Sequence, residues 1–344
     1  MIRALIVFWA FFPSIIAAQT PAAPPTPLSL EQRALKTYED QHYAKSAHLF
    51  DDAFASGLSR SDDAYIAARS YALAGDVPKS VAYLKRAMQL GFRQSENLQI
   101  DSELTSLHAD KQFPLIVELA EANKRAYDAV HQDPDHATIV TSDIDLFWSV
   151  YGKMKASPYP EEVLEDDYLL RGSPGLQDFV FSRIQSASAL LTTMQHDSKY
   201  YAAIQPGTLH IKDFGPQIHA SFRKMQQLYP EATFPVVYFV IGRLNTAGTT
   251  GSSGLLLGAE MFGKGPHVQT DELNEWQRAS IESVDGIPYV VAHELVHYQQ
   301  TTPSDTLLAA AIHEGSADFI GELISGSFMN QVQYKYGISH EAEL

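Results

Sequence analysis

Residues 43–57 read YAKSAHLFDDAFASG and residues 77–91 read VPKSVAYLKRAMQLG, one pattern written twice at a displacement of 34 positions. Lys45 returns as Lys79, Ser46 as Ser80, Ala53 as Ala87 and Gly57 as Gly91. Small residues recur where two helices must approach closely, and glycine closes the second helix of each pair. The correspondence reaches back to the preceding helices, where Ala34 aligns with Ala68. Two helix pairs are therefore predicted, with further helical stretches over 98–107 and 113–130, making one α-helical unit over residues 29–130.

This 34-residue pattern resembles tetratricopeptide repeats. The resemblance implies a protein partner on the concave face of the helical repeats. The other reading, that so short an array only packs against the rest of the chain, stays open on the sequence.

Outward from the repeats, the composition narrows the function classes. The 344 residues carry 25 Lys+Arg against 41 Asp+Glu, a formal net charge of −16, with 45% hydrophobic residues. That is a folded chain with room for two domains. An acidic chain without a basic cluster has no electrostatic footprint for nucleic acid or anionic lipid. It contains no cysteine, so disulfides, thiolate metal sites and thiol nucleophiles are excluded, and a metal site must be built from His, Asp and Glu. Upstream, Arg3 precedes an apolar run over 4–16 and then Ala17-Ala18-Gln19. This reads as a signal peptide over 1–18, too short to span a bilayer, followed by a Pro/Ala/Thr-rich linker over 19–28. No second apolar run of spanning length follows, and without cysteine there is no lipid-attachment site. The expectation is an exported protein, periplasmic or secreted, with no stable membrane span.

Downstream, from about Asp135, the pattern changes to a mixture of strands and helices. ATIVT (137–141) reads as a strand, Ser142 as the cap of a helix over 143–151, with further helices near 175–193 and 216–229. FPVVYFVIGR (234–243) and LLLGAEM (255–261) read as two strands joined by a Gly/Ser/Thr-rich connection over 245–254. That connection lacks the Lys-Ser/Thr ending of a phosphate-binding loop. The strand over 255–261 reads in two ways, as an exposed edge able to pair with an extended peptide or as a strand that simply fills the sheet.

Chemistry concentrates at residues 288–300, PYVVAHELVHYQQ, which contain His293, Glu294 and His297 in the order H-E-x-x-H. On a helix opened by Pro288, residues four apart lie on one face, so the two imidazoles converge on a point that can hold a metal. Glu294 is turned aside from that point, within reach of a metal-bound water. A second apolar-periodic stretch carries Glu314 and Asp318, again four apart, in IHEGSADF (312–319). A third ligand from that helix, with a carboxylate to hold a ligand histidine, would complete an open three-ligand zinc site.

These residues resemble the gluzincin metallopeptidases, in which two HExxH histidines are joined by a glutamate on the following helix. From about Thr138 onward, YLLRGS (168–173), FPVVYFVIGR, GAEMF and HEGSADFI look like a bacterial family described as predicted zinc-dependent proteases. The resemblance implies Zn²⁺ held by His293, His297 and Glu314, Glu294 as general base, Asp318 orienting His293, and Tyr334, Tyr336 or His340 as an oxyanion donor. Glu314 follows His297 more closely than in familiar gluzincins, so the turn over 301–305 must join the helices differently. The metzincin pattern fails at Gln300 and Pro303. His313, one residue from Glu314, is expected to face elsewhere.

The combined expectation is an α+β chain in which an α-helical repeat unit precedes a zincin-like domain over 135–344. Its leading function is an exported zinc metallopeptidase acting on a peptide or protein substrate. The alternative is a repeat-mediated protein-binding module whose zincin-like domain is structural or inactive.

Overall fold

The computed structural model describes residues 25–300, 306–328 and 331–341, except the side chains of 331–333. The signal peptide expected over 1–18, most of the linker expected over 19–28 and the turn expected over 301–305 lie outside the described residues.

Helices α1 (Pro27–Glu39), α2 (Tyr43–Ala55), α3 (Ser61–Leu73) and α4 (Val77–Gln89) form the two predicted pairs. They are extended by α5 (Ser95–Ile100), a 3-10 turn (Ser102–Leu107) and α6 (Phe113–Val130). α1 starts inside the expected linker because Pro27 suits a first turn and the Thr26 hydroxyl accepts the Ser29 N–H. The two repeats share a bond as well as a pattern. Ser46 Oγ donates to the Ala34 carbonyl at 2.8 Å, and Ser80 Oγ donates to the Ala68 carbonyl at 2.7 Å. Both alanines are fully buried, so each hydroxyl satisfies itself on the partner helix where no larger side chain would fit. Phe50, Leu84, Leu98 and Ile116 belong to a hydrophobic core confined to this unit.

The remaining chain runs β1 (Ile139–Val140), α7 (Ser142–Ala156), α8 (Pro160–Leu164), α9 (Pro174–Phe179), α10 (Ala187–His196), α11 (Ser198–Leu209) and α12 (Gly215–Leu228). It continues through β2 (Val236–Val240), β3 (Gly248–Thr250), β4 (Gly254–Gly258), α13 (Glu275–Ser280), α14 (Ile287–Gln299), α15 (Leu307–Ser325) and α16 (Gln331–Ser339). The four strands make one sheet in the order β1-β2-β4-β3, with β3 antiparallel to β4 and the other pairs parallel. Helices plus a small sheet with helical repeats is the expected α+β composition.

Two local points are decided by the structure. Of the two roles open to the strand over 255–261, it fills the sheet: it is β4, fully buried between β2 and β3. The edge on that side is β3, formed by what the sequence suggested was only a connection. Gly251 and Gly254 exchange backbone hydrogen bonds at 2.8 and 3.3 Å, closing a hairpin that folds this segment back onto β4. The helix expected over 175–193 is broken at Gln185, whose φ is 72°, and restarts where Ser186 caps α10 by accepting the Ala189 N–H.

β2 and β4 are almost wholly buried, which is why FPVVYFVIGR is continuously apolar rather than alternating. The repeat unit is attached to this second core through Leu28, and through Arg93, which donates to the Ser252 carbonyl at 2.5 Å. Among the described residues no helix is long and apolar enough to cross a membrane.

Candidate functional site

α14 buries Ile287, Val291, Ala292 and Leu295 against the sheet side, which turns His293 and His297 together toward α15. α15 comes in closely at Gly321, where a Cβ would lie 3.2 Å from the His293 backbone nitrogen. That approach delivers Glu314. His293 Nε2 and His297 Nε2 are 2.9 Å apart, and Glu314 Oε2 lies 3.2 Å from His297 Nε2 and 3.7 Å from His293 Nε2. Among the described residues this is the one group of three or more His, Asp or Glu side chains whose ligand atoms converge closely enough for a metal.

The far nitrogens explain what the near ones offer. His293 Nδ1 is 2.9 Å from Asp318 Oδ1, a carboxylate that also accepts from the Tyr289 hydroxyl at 2.7 Å. His297 Nδ1 is 2.8 Å from Gln300 Oε1, and the Gln300 amide nitrogen donates to the His313 carbonyl and the Ser316 hydroxyl. An acceptor beside each Nδ1 favours ring protons there and lone pairs on both Nε2 atoms. Two lone pairs and a carboxylate facing one another repel unless a cation lies among them. The donor set therefore fits a divalent ion that accepts imidazole and carboxylate.

Burial alone would lower the His293 pKa, but the carboxylates of Asp318, Glu294 and Glu314 outweigh it and hold it above the usual value. Glu294 is turned to the other side of α14, toward β3, where a Cβ on Gly248 would lie 2.6 Å from its carboxylate. Burial pushes its pKa up to about 7 against the opposing charges of His293 and Arg183. Arg183 donates to the Thr249 hydroxyl at 2.9 Å, tying the edge strand beside this carboxylate.

A cleft of about 780 Å³ begins at the same place. One wall comes from the repeat unit, through Arg93, Glu96 and Lys124. The other includes Tyr229, Thr250 of the edge strand and His297 at the end of α14.

The site thus gathers His293, His297, Glu314 and Asp318, with Glu294 adjacent. His313 does not face elsewhere: its ring stacks on that of His297 at 4.5 Å between centroids, 18° from parallel. Tyr334 and Tyr336 lie exposed on α16, and His340 stacks on Tyr336. Tyr289 and Gln300 were not singled out from the sequence. Their spacing was a signal, since Tyr289 stands four residues before His293 and Gln300 three after His297, on the faces those histidines use.

The family whose model matches residues 117–339 is described as GldB_lipo: Gliding motility protein GldB. No curated protein and no solved structure matches the chain. The matched residues include the sheet and the convergent cluster and exclude α1 to α5. This match overturns the expected membership of the gluzincin peptidases and, with it, the reading as an enzyme, a hydrolase or a metalloprotease. Glu294 loses its expected part as general base, and Tyr334, Tyr336 and His340 lose theirs as oxyanion donors. The physical reason is that H-E-x-x-H followed by a glutamate specifies where ligand atoms converge. Convergence is a statement about ion binding, and turnover requires more than ligands.

Proposed function

The chain belongs to the GldB gliding-motility family, and from that premise we propose that it is an exported, cell-envelope protein-binding module. The helical repeats and the sheet edge receive a partner protein between them. The observation that carries this reading is the cleft, whose walls come from both parts of the chain and whose lining mixes charged groups with the aromatic side chains of Phe181, Tyr229 and Tyr298. Thr250 supports it further. Gly251 spends its backbone groups on Gly254, so strand alternation turns the Thr250 N–H and C=O away from β4, toward a free edge.

In the same reading the domain over 135–344, with its zincin-like arrangement, is a structural scaffold, and His293, His297 and Glu314 hold one Zn²⁺. The ion would join α14 to α15, with Asp318 and Gln300 orienting the two imidazoles. α15 has reason to need such a clamp: Leu308, Ile312, Phe319 and Leu323 along it are exposed, and few of its residues are buried.

A photo-crosslinking amino acid at Glu96 or Glu231, on opposite walls, should trap one and the same protein in cells, while one at exposed Tyr159, outside the cleft, should not. Different adducts from the two walls, or the same adduct from Tyr159, would defeat the partner reading. For the metal, elemental analysis should find about one zinc per chain, lost in Glu314→Ala along with the fall in melting temperature that a chelator causes. Full zinc content in Glu314→Ala would remove that residue from the ligand set.

A further inference from the structure

The seam between the repeat unit and the sheet holds more negative charge than its cation neutralises. Arg60, the residue before α3, donates through Nη1 to Glu31 Oε1 on α1 at 2.9 Å. Its Nε lies 3.1 Å from Asp178 Oδ1 on α9 and 3.8 Å from Asp63 Oδ2 on α3, without a well-aligned hydrogen bond to either. The Phe181 ring lies against its guanidinium, 4.5 Å away. Asp178 is fixed from the sheet side by the Ser252 hydroxyl at 3.0 Å and the Ser253 N–H at 2.7 Å. Asp62 and Arg93 complete the charged groups facing the cluster.

Asp63 is completely buried, and neither of its oxygens receives an N–H or O–H. The group it touches is the carboxyl of Glu31, itself 2% exposed. A buried carboxylate without a donor is costly, and two carboxyls in contact cannot both stay ionised. Both are satisfied once a proton on Asp63 is donated to Glu31.

We propose that Glu31 and Asp63 share one proton, and that this proton decides which carboxylate Arg60 Nε serves. With the proton in place, Asp63 is neutral and Arg60 Nε is left to Asp178 across the seam. Without it, an ionised Asp63 pulls the guanidinium back into the repeat unit, the seat on Asp178 loosens and the cleft widens. Burial raises both acids above the usual carboxylate range, Asp63 well above it. A raised value in the folded state means that the seat is firm at low pH and weakens as pH rises through that value. As regulation of partner binding, this rests on the cleft being the partner's site.

The test is a distance across the cleft in the full chain without partner. The sequence has no cysteine, so Glu96→Cys and Glu231→Cys can carry spin labels on the two walls. Between about pH 5 and about pH 9, a span that includes the values reached by buried carboxyls, the wild-type distance should lengthen and broaden. Asp63→Asn, whose amide donates to Glu31 at every pH, should keep the short, narrow distribution. Glu31→Gln, whose amide donates to Asp63 without a shared proton, should also lose the pH response. Asp178→Asn should show the long distribution at both ends. An unchanging wild-type distance overturns the proposal with no variant needed, and so does either proton-site variant that keeps the full wild-type response. Because no partner is present, failure here is separate from failure of the crosslinking experiment.

Discussion

Glu260 sits wholly buried at the end of β4 and takes two backbone N–H groups, Gly242 at 2.7 Å and Leu244 at 3.1 Å. Leu244 has φ 56°, a left-handed conformation that costs a non-glycine residue roughly 1–2 kcal/mol, and the carboxylate holds it there. Burial pushes the Glu260 pKa up to about 7, opposed by those same N–H groups. A shift from the ordinary glutamate value to about 7 corresponds to about 3 kcal/mol of stability, present at low pH and lost as pH rises through about 7. Glu260→Gln turns an amide N–H toward one of the backbone donors and should cost about 1–3 kcal/mol at low pH. Urea unfolding of both proteins should show this cost shrinking toward pH 8; a cost independent of pH would mean that Glu260 does not titrate as its burial requires. At the proposed zinc site, Gln300→Ala should weaken zinc binding roughly 10- to 100-fold by freeing the His297 ring, measured by competition with a chromophoric chelator. Unchanged affinity would show that stacking on His313 alone fixes that ring. The approach of His293 and His297 was legible from spacing because i and i+4 on a helix must converge. Glu260 was not, because its partners lie on another strand-end loop and nothing local marks it.

Elements carry the repeat. α2 and α4 end at Gly57 and Gly91, with φ of 114° and 90°, and the following N–H groups of Leu58 and Phe92 reach back to Ala53 and Ala87 at 3.0 and 2.9 Å. A Cβ at Gly91 would meet nothing within 4 Å, so Gly91→Ala costs only the left-handed backbone, roughly 1 kcal/mol. Gly152, inside α7, likewise has open space around it but lies in ordinary helix, so Gly152→Ala should stabilise by roughly 0.5–1 kcal/mol. Opposite shifts of melting temperature are expected from the same chemical change, and shifts of equal sign would contradict the backbone explanation. The repeat helices were readable because a cap, a small-residue contact and a period are all local. The sheet was readable only as strands: adjacency of β4 to both β2 and β3 depends on pairing partners that a linear pattern does not name, and a connection rich in glycine proved to contain the edge.

At the scale of the molecule, two hydrophobic cores meet across a charged seam. The core of the repeats is separate from the core around the sheet, so a chain of residues 29–130 should fold alone with a helical spectrum and a cooperative transition. A disordered product would make the repeats a layer of the larger domain instead. The sequence by itself determined the repeat period, the glycine ends of α2 and α4, the α+β composition, the absence of thiol chemistry and the residues able to gather around an ion. Each of these follows from near-neighbour geometry or from composition. Tertiary structure alone decided which strand forms the edge, that His313 stacks on His297, that a cleft opens between the two cores, and that Arg60 is shared by carboxylates from α1, α3 and α9. Those features depend on long-range approach, where burial, lone-pair repulsion and the scarcity of donors select among partners far apart in the chain.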